Sequence, residues 1–145
     1  LLGFDEITRQ VDAPVGIGGD DANRLPRSPE LDLKDGDVIR FGHRDMRVLS
    51  TPGHTEGATC FLVGKHLFSG DTLFPGGPGR SRSPQAFQQE LESITRKLLV
   101  LPADTSVYPG HGDDTTIGTA RQEYQVFAAR PHPPELYGDV TWLGN

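Results

Sequence analysis

Two histidines and one aspartate, each in a short turn after an apolar run, are the residues of this sequence best suited to chemistry. His54 lies in Thr51-Pro52-Gly53-His54-Thr55, Asp71 in Ser69-Gly70-Asp71-Thr72-Leu73-Phe74, and His111 in Tyr108-Pro109-Gly110-His111-Gly112. Neutral imidazole offers a nitrogen lone pair and carboxylate offers oxygens, a donor set that suits zinc, iron or manganese. The Pro and Gly beside each donor let the backbone turn sharply. A lone turn histidine ordinarily faces solvent, and a Gly-Asp-Thr aspartate commonly caps its own turn. Three such loops in one chain favour a metal site assembled by the fold.

The elements that must position these loops are strands. Residues 46–49 lead to His54, 66–68 to Asp71 and 106–108 to His111. The turn at Asp35-Gly36 and another at residues 42–45 predict a hairpin of 37–41 with 46–49. Gly64-Lys65 joins 57–63 to 66–68 in a second hairpin. Residues 14–18 read as a short strand and 20–25 as a helical segment stopped by Pro26. Leu1-Leu2-Gly3 reads as the end of a helix. Ser83-Pro84 is a strong helix start, with Phe87, Leu91, Ile94 and Leu98 on one face and a stop at Pro102. A second helix is expected over 118–129, capped by Thr115 or Thr116, carrying Arg121, Tyr124 and Phe127 and ended by Pro131. The tail from His132 has no periodicity and is expected along the surface, with Trp142 and Leu143 as anchors.

The 145 residues include 18 glycines and 12 prolines, about a fifth of the chain, so many short strands and turns are expected. A net charge of -6 without a basic run excludes nucleic acid as the main partner. No stretch approaches the ~20 apolar residues of a membrane span, and no signal peptide is visible. A cytoplasmic location without membrane contact is expected. Cys60, the single cysteine, lies in an apolar run and reads as a small buried residue. His43 and His66 sit in polar turns and are expected to be exposed, and His132 to be plain tail.

From about Asp32 to about Tyr124 the chain resembles the metallo-beta-lactamase superfamily, and within it the glyoxalase II-like hydrolases. The most specific stretch is Gly70-Asp71-Thr72-Leu73-Phe74 followed by Gly76-Gly77-Pro78-Gly79-Arg80. The resemblance implies an α+β fold, the αββα sandwich, with residues 1–145 as the C-terminal portion of a single domain. It implies that His54 belongs to the first metal site, His111 to the second, and that Asp71, the catalytic carboxylate, bridges two ions. The family's His-x-His-x-Asp-His loop is absent, because no two of histidines 43, 54, 66, 111 and 132 have that spacing. The domain is therefore expected to be incomplete, with the loop outside this chain. A naturally shortened relic and an unrelated three-ligand protein are the other readings of that absence.

The activity implied is hydrolysis of a small-molecule acyl substrate, foremost an S-acyl-glutathione-type thioester, through a metal-bound hydroxide. Two zinc ions are the expected cofactor of the complete protein, with iron or manganese as other choices. Arg80 falls where the family places a basic residue for the acidic substrate, and its guanidinium suits a carboxylate bidentately. Arg80 and Arg82 also fit a solvated surface. The stretch 112–118 resembles the short members that lack the glutathione-binding helical extension, which leaves the thiol carrier open. A mononuclear iron persulfide dioxygenase and a catalytically silent binding module are the alternatives.

Overall fold

The computed structural model describes residues 3–144. Leu1 and Leu2, expected in a helix ending at Gly3, lie outside the described residues, and Gly3 instead precedes a short exposed helix α1 (Phe4–Gln10). Strand β1 (Gly16–Gly18) is shorter than the run expected from residue 14, because its register with β2 (Leu31–Leu33) begins only at Gly16↔Leu31. That pairing is parallel and was not foreseen. A 3₁₀ segment, Gly19–Arg24, follows β1 as anticipated and ends before Pro26.

The chain then builds β3 (Val38–Phe41), β4 (Arg44–Ser50), β5 (Thr59–Val63) and β6 (His66–Gly70) as two consecutive hairpins. A small hairpin of β7 (Leu73–Phe74) and β8 (Gly77–Pro78) occupies part of a stretch that reads in the sequence only as a glycine loop. After helix α2 (Pro84–Ser93) come β9 (Ser106–Pro109), β10 (Thr115–Thr116) and helix α3 (Ile117–Ala128). Six strands form one sheet in the order β10-β9-β6-β5-β4-β3. Every pairing is antiparallel except β6 with β9, whose crossover contains α2.

Helix α2 starts as its sequence demands: Ser83 Oγ accepts the Ala86 N–H at 3.1 Å and Pro84 opens the first turn. It does not run unbroken to Pro102. At Ile94–Leu98 it widens into a π-helical turn, in which the Leu99 N–H reaches the Ile94 carbonyl at 2.9 Å. The wider turn brings Ile94, Leu98 and Leu99 all into the core, whereas Leu91 stays half-buried. Thr116 caps α3, its Oγ1 accepting the Thr119 N–H at 3.1 Å.

One face of the sheet carries the core. Leu49, Cys60, Leu67 and Val107 are buried against Phe87, Ile94, Leu98, Ile117, Ala120 and Phe127 from the helical layer. Each large apolar side chain contributes roughly 1.5–3 kcal/mol of transfer free energy before ordering entropy is subtracted. Arg121 bridges the helices to the turn beyond them, donating to the carbonyls of Leu99 and Leu101 at 2.8 Å each. The other face presents Phe61, Phe68 and Tyr108 in register across β5, β6 and β9. Phe68 is half exposed and stacks on Tyr108 at 5.4 Å. With one large sheet, one helical layer and two small strand pairs, the described residues hold part of an αββα sandwich.

The tail is bound more tightly than its composition suggests. Trp142 is fully buried, packed edge-on against Tyr124, and its backbone N–H donates to the Gly76 carbonyl at 2.8 Å. Leu143, the other expected anchor, is instead 55% exposed. His132 is likewise not loose: its ring stacks on Phe127 at 3.8 Å and its Nε2–H donates to the Phe127 carbonyl, closing the end of α3. His43 and His66 are exposed as expected. No helix among the described residues is long and apolar enough to cross a membrane.

Candidate metal centre

The three donor loops meet at one rim of the sheet. Parallel pairing of β6 with β9 sets the Asp71 and His111 loops side by side, with the Gly110 N–H donating to the Gly70 carbonyl at 2.8 Å. Antiparallel pairing of β4 with β5 returns the His54 loop to the same end, with the Thr51 N–H on the Ala58 carbonyl at 2.8 Å. A chain of small polar groups ties these loops from beneath. Thr51 Oγ1 contacts Thr72 Oγ1 at 3.1 Å and Cys60 Sγ at 3.2 Å, and the Cys60 thiol reaches towards the Ser69 carbonyl at 3.5 Å. Thr51, Thr72, Cys60 and Ser69 are all buried, so each contact matters more than it would in water.

His54, Asp71, His111 and Arg80 line a cavity of about 240 Å³ together with Phe74, Pro78, Gly79 and Asp139. The Asp71 carboxylate divides between the two histidines. His54 Nε2 stands 3.8 Å from Oδ2, and His111 Nε2 stands 3.6 Å from Oδ1. These separations are too long for hydrogen bonds. They suit pairs of donors that share an ion, since two ligands about 2.1 Å from a tetrahedral metal lie about 3.4 Å apart. Among the described residues no three His, Cys, Asp or Glu side chains converge on a single ion position. The arrangement is two imidazoles, each facing a different oxygen of one carboxylate.

The ring of His54 is oriented from behind. Its Nδ1–H donates to the Arg80 carbonyl at 2.9 Å, which leaves Nε2 turned towards Asp71. His111 is 75% exposed and leans on the Phe74 ring at 4.8 Å. Gly110 permits the close approach of its loop, for a Cβ there would come within 2.6 Å of Asp71 Oδ1. Arg80 sits at the mouth, its Nε 3.6 Å from Asp139 Oδ2. All four residues singled out in the sequence are thus brought together.

Glu90 is the residue that sequence reasoning missed most completely. Its side chain is fully buried on α2 under the His54 and Arg80 loops, and neither carboxyl oxygen has a hydrogen-bond partner among the described residues. Burial pushes its pKa up to about 8 against the weaker pull of the neighbouring Gly79 amide. That amide makes its own hydrogen bond to the Thr72 carbonyl at 3.2 Å. Glu90 has the polar neighbours Gln88, Gln89 and Glu92, but it stands three residues after Phe87 and four before Ile94, beside the apolar stripe, and the Gly53 and Gly79 loops docked on α2 complete its burial. Thr51 and Thr72 were legible in part, since each directly flanks a donor loop; Asp139 had no local signal.

Gly53 makes the docking possible. Its φ is +150°, and a Cβ there would lie 2.2 Å from Glu90 Cβ and 2.5 Å from Glu90 Cα, atoms fixed in the helix. Gly53→Ala is therefore expected to lower stability by about 3 kcal/mol, read as a lower urea midpoint. Gly76→Ala, at φ +81° with nothing near the added carbon, is expected to cost only about 1–2 kcal/mol. Equal losses in the two variants would show that α2 does not seat the His54 loop.

With this geometry in view, the sequence relationships are direct. The metallo-beta-lactamase superfamily matches residues 3–111, and the chain belongs to that superfamily. The match starts well before Asp32 and stops short of Tyr124, the bounds set by the motifs alone. Hydroxyacylglutathione hydrolase of Rhodospirillum rubrum is 42% identical over 99 residues, covering 67% of this chain and 37% of that one. Human mitochondrial persulfide dioxygenase ETHE1 is 36% identical over 98 residues, covering 65% of this chain and 39% of its own. The crystal structure of TTHA1623 in a di-iron-bound form shares the fold with a TM-score of 0.63 at 30% identity, covering 83% of this chain and 68% of that one. The chain spans less than half the length of the curated relatives it matches.

Proposed function

We propose that the complete protein is a thioester hydrolase acting on S-acyl-glutathione-type or related substrates, with His54, Asp71 and His111 among the ligands of its metal centre. The observation that carries this reading is the single carboxylate of Asp71 facing a different imidazole with each oxygen, at the rim of a cavity that also holds a guanidinium. Zinc, or iron or manganese, bound there would supply Lewis-acid polarisation of the acyl carbonyl and an activated water.

The chain's own residues do the positioning. The Arg80 carbonyl holds the His54 ring in the tautomer that presents Nε2, and Phe74 restricts His111. The Asp71 carboxylate, facing both imidazoles, would hold bound metal and offset its positive charge. The Arg80 guanidinium at the mouth offers a carboxylate-binding fork. Cys60 does not serve as a nucleophile: it is fully buried, and burial pushes its thiol up to about 11.

Ligand count sets the test. The 145-residue chain offers one imidazole to each Asp71 oxygen, so by itself it is expected to bind zinc weakly and hydrolyse thioesters slowly. The complete protein is expected to hydrolyse S-lactoylglutathione when loaded with metal and to lose that rate on chelation. Tight stoichiometric zinc in the 145-residue chain after dialysis would contradict the ligand count. Chelator-insensitive hydrolysis, or none, would contradict the reaction. Similarity to human persulfide dioxygenase supports a second reading, in which one iron and oxygen consumption with glutathione persulfide replace thioester turnover.

A further inference from the structure

The last residues of the described chain do more than cover the core. Gly138 is tied to the Arg80 loop by two hydrogen bonds: its N–H donates to Ser81 Oγ at 3.0 Å, and its carbonyl accepts the Ser81 N–H at 3.2 Å. Four residues later the buried Trp142 is tied to Gly76 beside the β7–β8 hairpin. Asp139 lies between these anchors, so the backbone places its carboxylate at the cavity mouth without help from its own side chain.

The pairing of Asp139 with Arg80 is not built for stability. It is a single contact at 3.6 Å, with the two side chains 80% and 73% exposed. A pair of that kind contributes little and opens readily. Its position within the cavity lining suggests a different use. A substrate bearing only a carboxylate must displace Asp139 from Arg80 and then lie beside a second, uncompensated carboxylate. A substrate bearing an ammonium next to its carboxylate meets opposite charge on both sides. Held between Arg80 and Asp139 at the mouth, such a headgroup leaves the 240 Å³ lined by His54, Asp71 and His111 to the rest of the molecule, where the acyl bond must lie.

We propose that Asp139 is a specificity-determining residue which, with Arg80, receives the zwitterionic α-amino acid end of the substrate: the ammonium on Asp139 and the carboxylate on Arg80. This rests on the reading of the cavity as the substrate site and narrows it to carriers with a free amino acid headgroup.

Thioethers test it without any reaction, because they have no acyl bond to hydrolyse. Binding of S-benzylcysteine, its N-acetyl derivative and its methyl ester to the complete protein is measured by calorimetry. S-Benzylcysteine is expected to bind best, with N-acetylation and esterification each raising Kd about tenfold. Asp139→Asn should abolish the penalty for N-acetylation and keep that for esterification, and Arg80→Gln should do the reverse. Both side chains are exposed, so neither substitution threatens folding. The proposal falls if the N-acetyl derivative binds as well as the zwitterion. It also falls if Asp139→Asn tightens every carboxylate-bearing probe, which would make Asp139 only a competitor for Arg80, or if none of the three probes binds. Failure of thioester hydrolysis alongside the expected binding pattern would remove the reaction and leave the recognition.

Discussion

Stability is expected to fall steeply as pH rises from about 5 to about 8, and Glu90→Gln is expected to remove that slope. Glu90 is fully buried and holds its proton up to about pH 8, whereas an unfolded chain releases it near the ordinary value of 4.5. Between those values the folded state binds one more proton than the unfolded state. Each added pH unit therefore costs about 1.4 kcal/mol, and the loss levels off above the folded value. Across the whole window it approaches about 5 kcal/mol, a large share of the 5–15 kcal/mol that holds a typical domain together. Asp35 does not interfere. Its hydrogen bond and ion pair with Lys97 depress its pKa, so its contribution is present above 3.8 and is lost only at lower pH. Urea denaturation at a series of pH values provides the measurement. A wild type as flat as Glu90→Gln would mean that the carboxyl finds water or a partner on ionising.

The second large effect concerns Asp71 in the complete protein. Asp71→Ala removes the carboxylate that both imidazoles face, leaving His54 and His111 without a common partner. Metal content is expected to drop, and thioester hydrolysis to fall by roughly three orders of magnitude or more. The site loops should nevertheless keep their places. The hydrogen bonds of Gly110 to Gly70 and of Thr72 to Ser69 are backbone contacts that do not involve the lost carboxylate. Elemental analysis and a thioester assay on the same preparation decide the matter: an Asp71→Ala protein with its metals and rate intact would falsify the hydrolase reading. An Arg80→Ala protein, by contrast, is expected to keep its metals and show a raised KM for acidic substrates.

Much of the candidate site was legible before any fold was known. Pro-Gly-His twice and Gly-Asp-Thr once put a turn and a donor atom in the same few residues, so the loops that come together could be picked out. The Ser83-Pro84 helix start, the Gly64-Lys65 hairpin and a cap at Thr115 or Thr116 were also readable, because each depends on neighbours within a few positions. The π turn at Ile94–Leu98 was not. Its apolar spacing is close to that of a continuous helix, and the widening follows the demand of the core for Leu98 and Leu99 together.

Residues outside the motifs acquired their meaning from distant parts of the chain. Glu90 has polar neighbours and its burial is completed by the Gly53 and Gly79 loops, while Leu143 looks like an anchor and remains exposed. Asp139 reaches the cavity because Gly138 and Trp142 are tied to Ser81 and Gly76. The sequence by itself determined the donor types, the turns that carry them and most of the elements behind them, since those rest on local backbone preference and hydrophobic period. Only the tertiary structure decided that Asp71 divides its oxygens between two histidines, that Arg80 meets Asp139 and that Glu90 is buried. Such pairings depend on strand register and loop docking between segments far apart in the chain, and short-range patterns do not encode them.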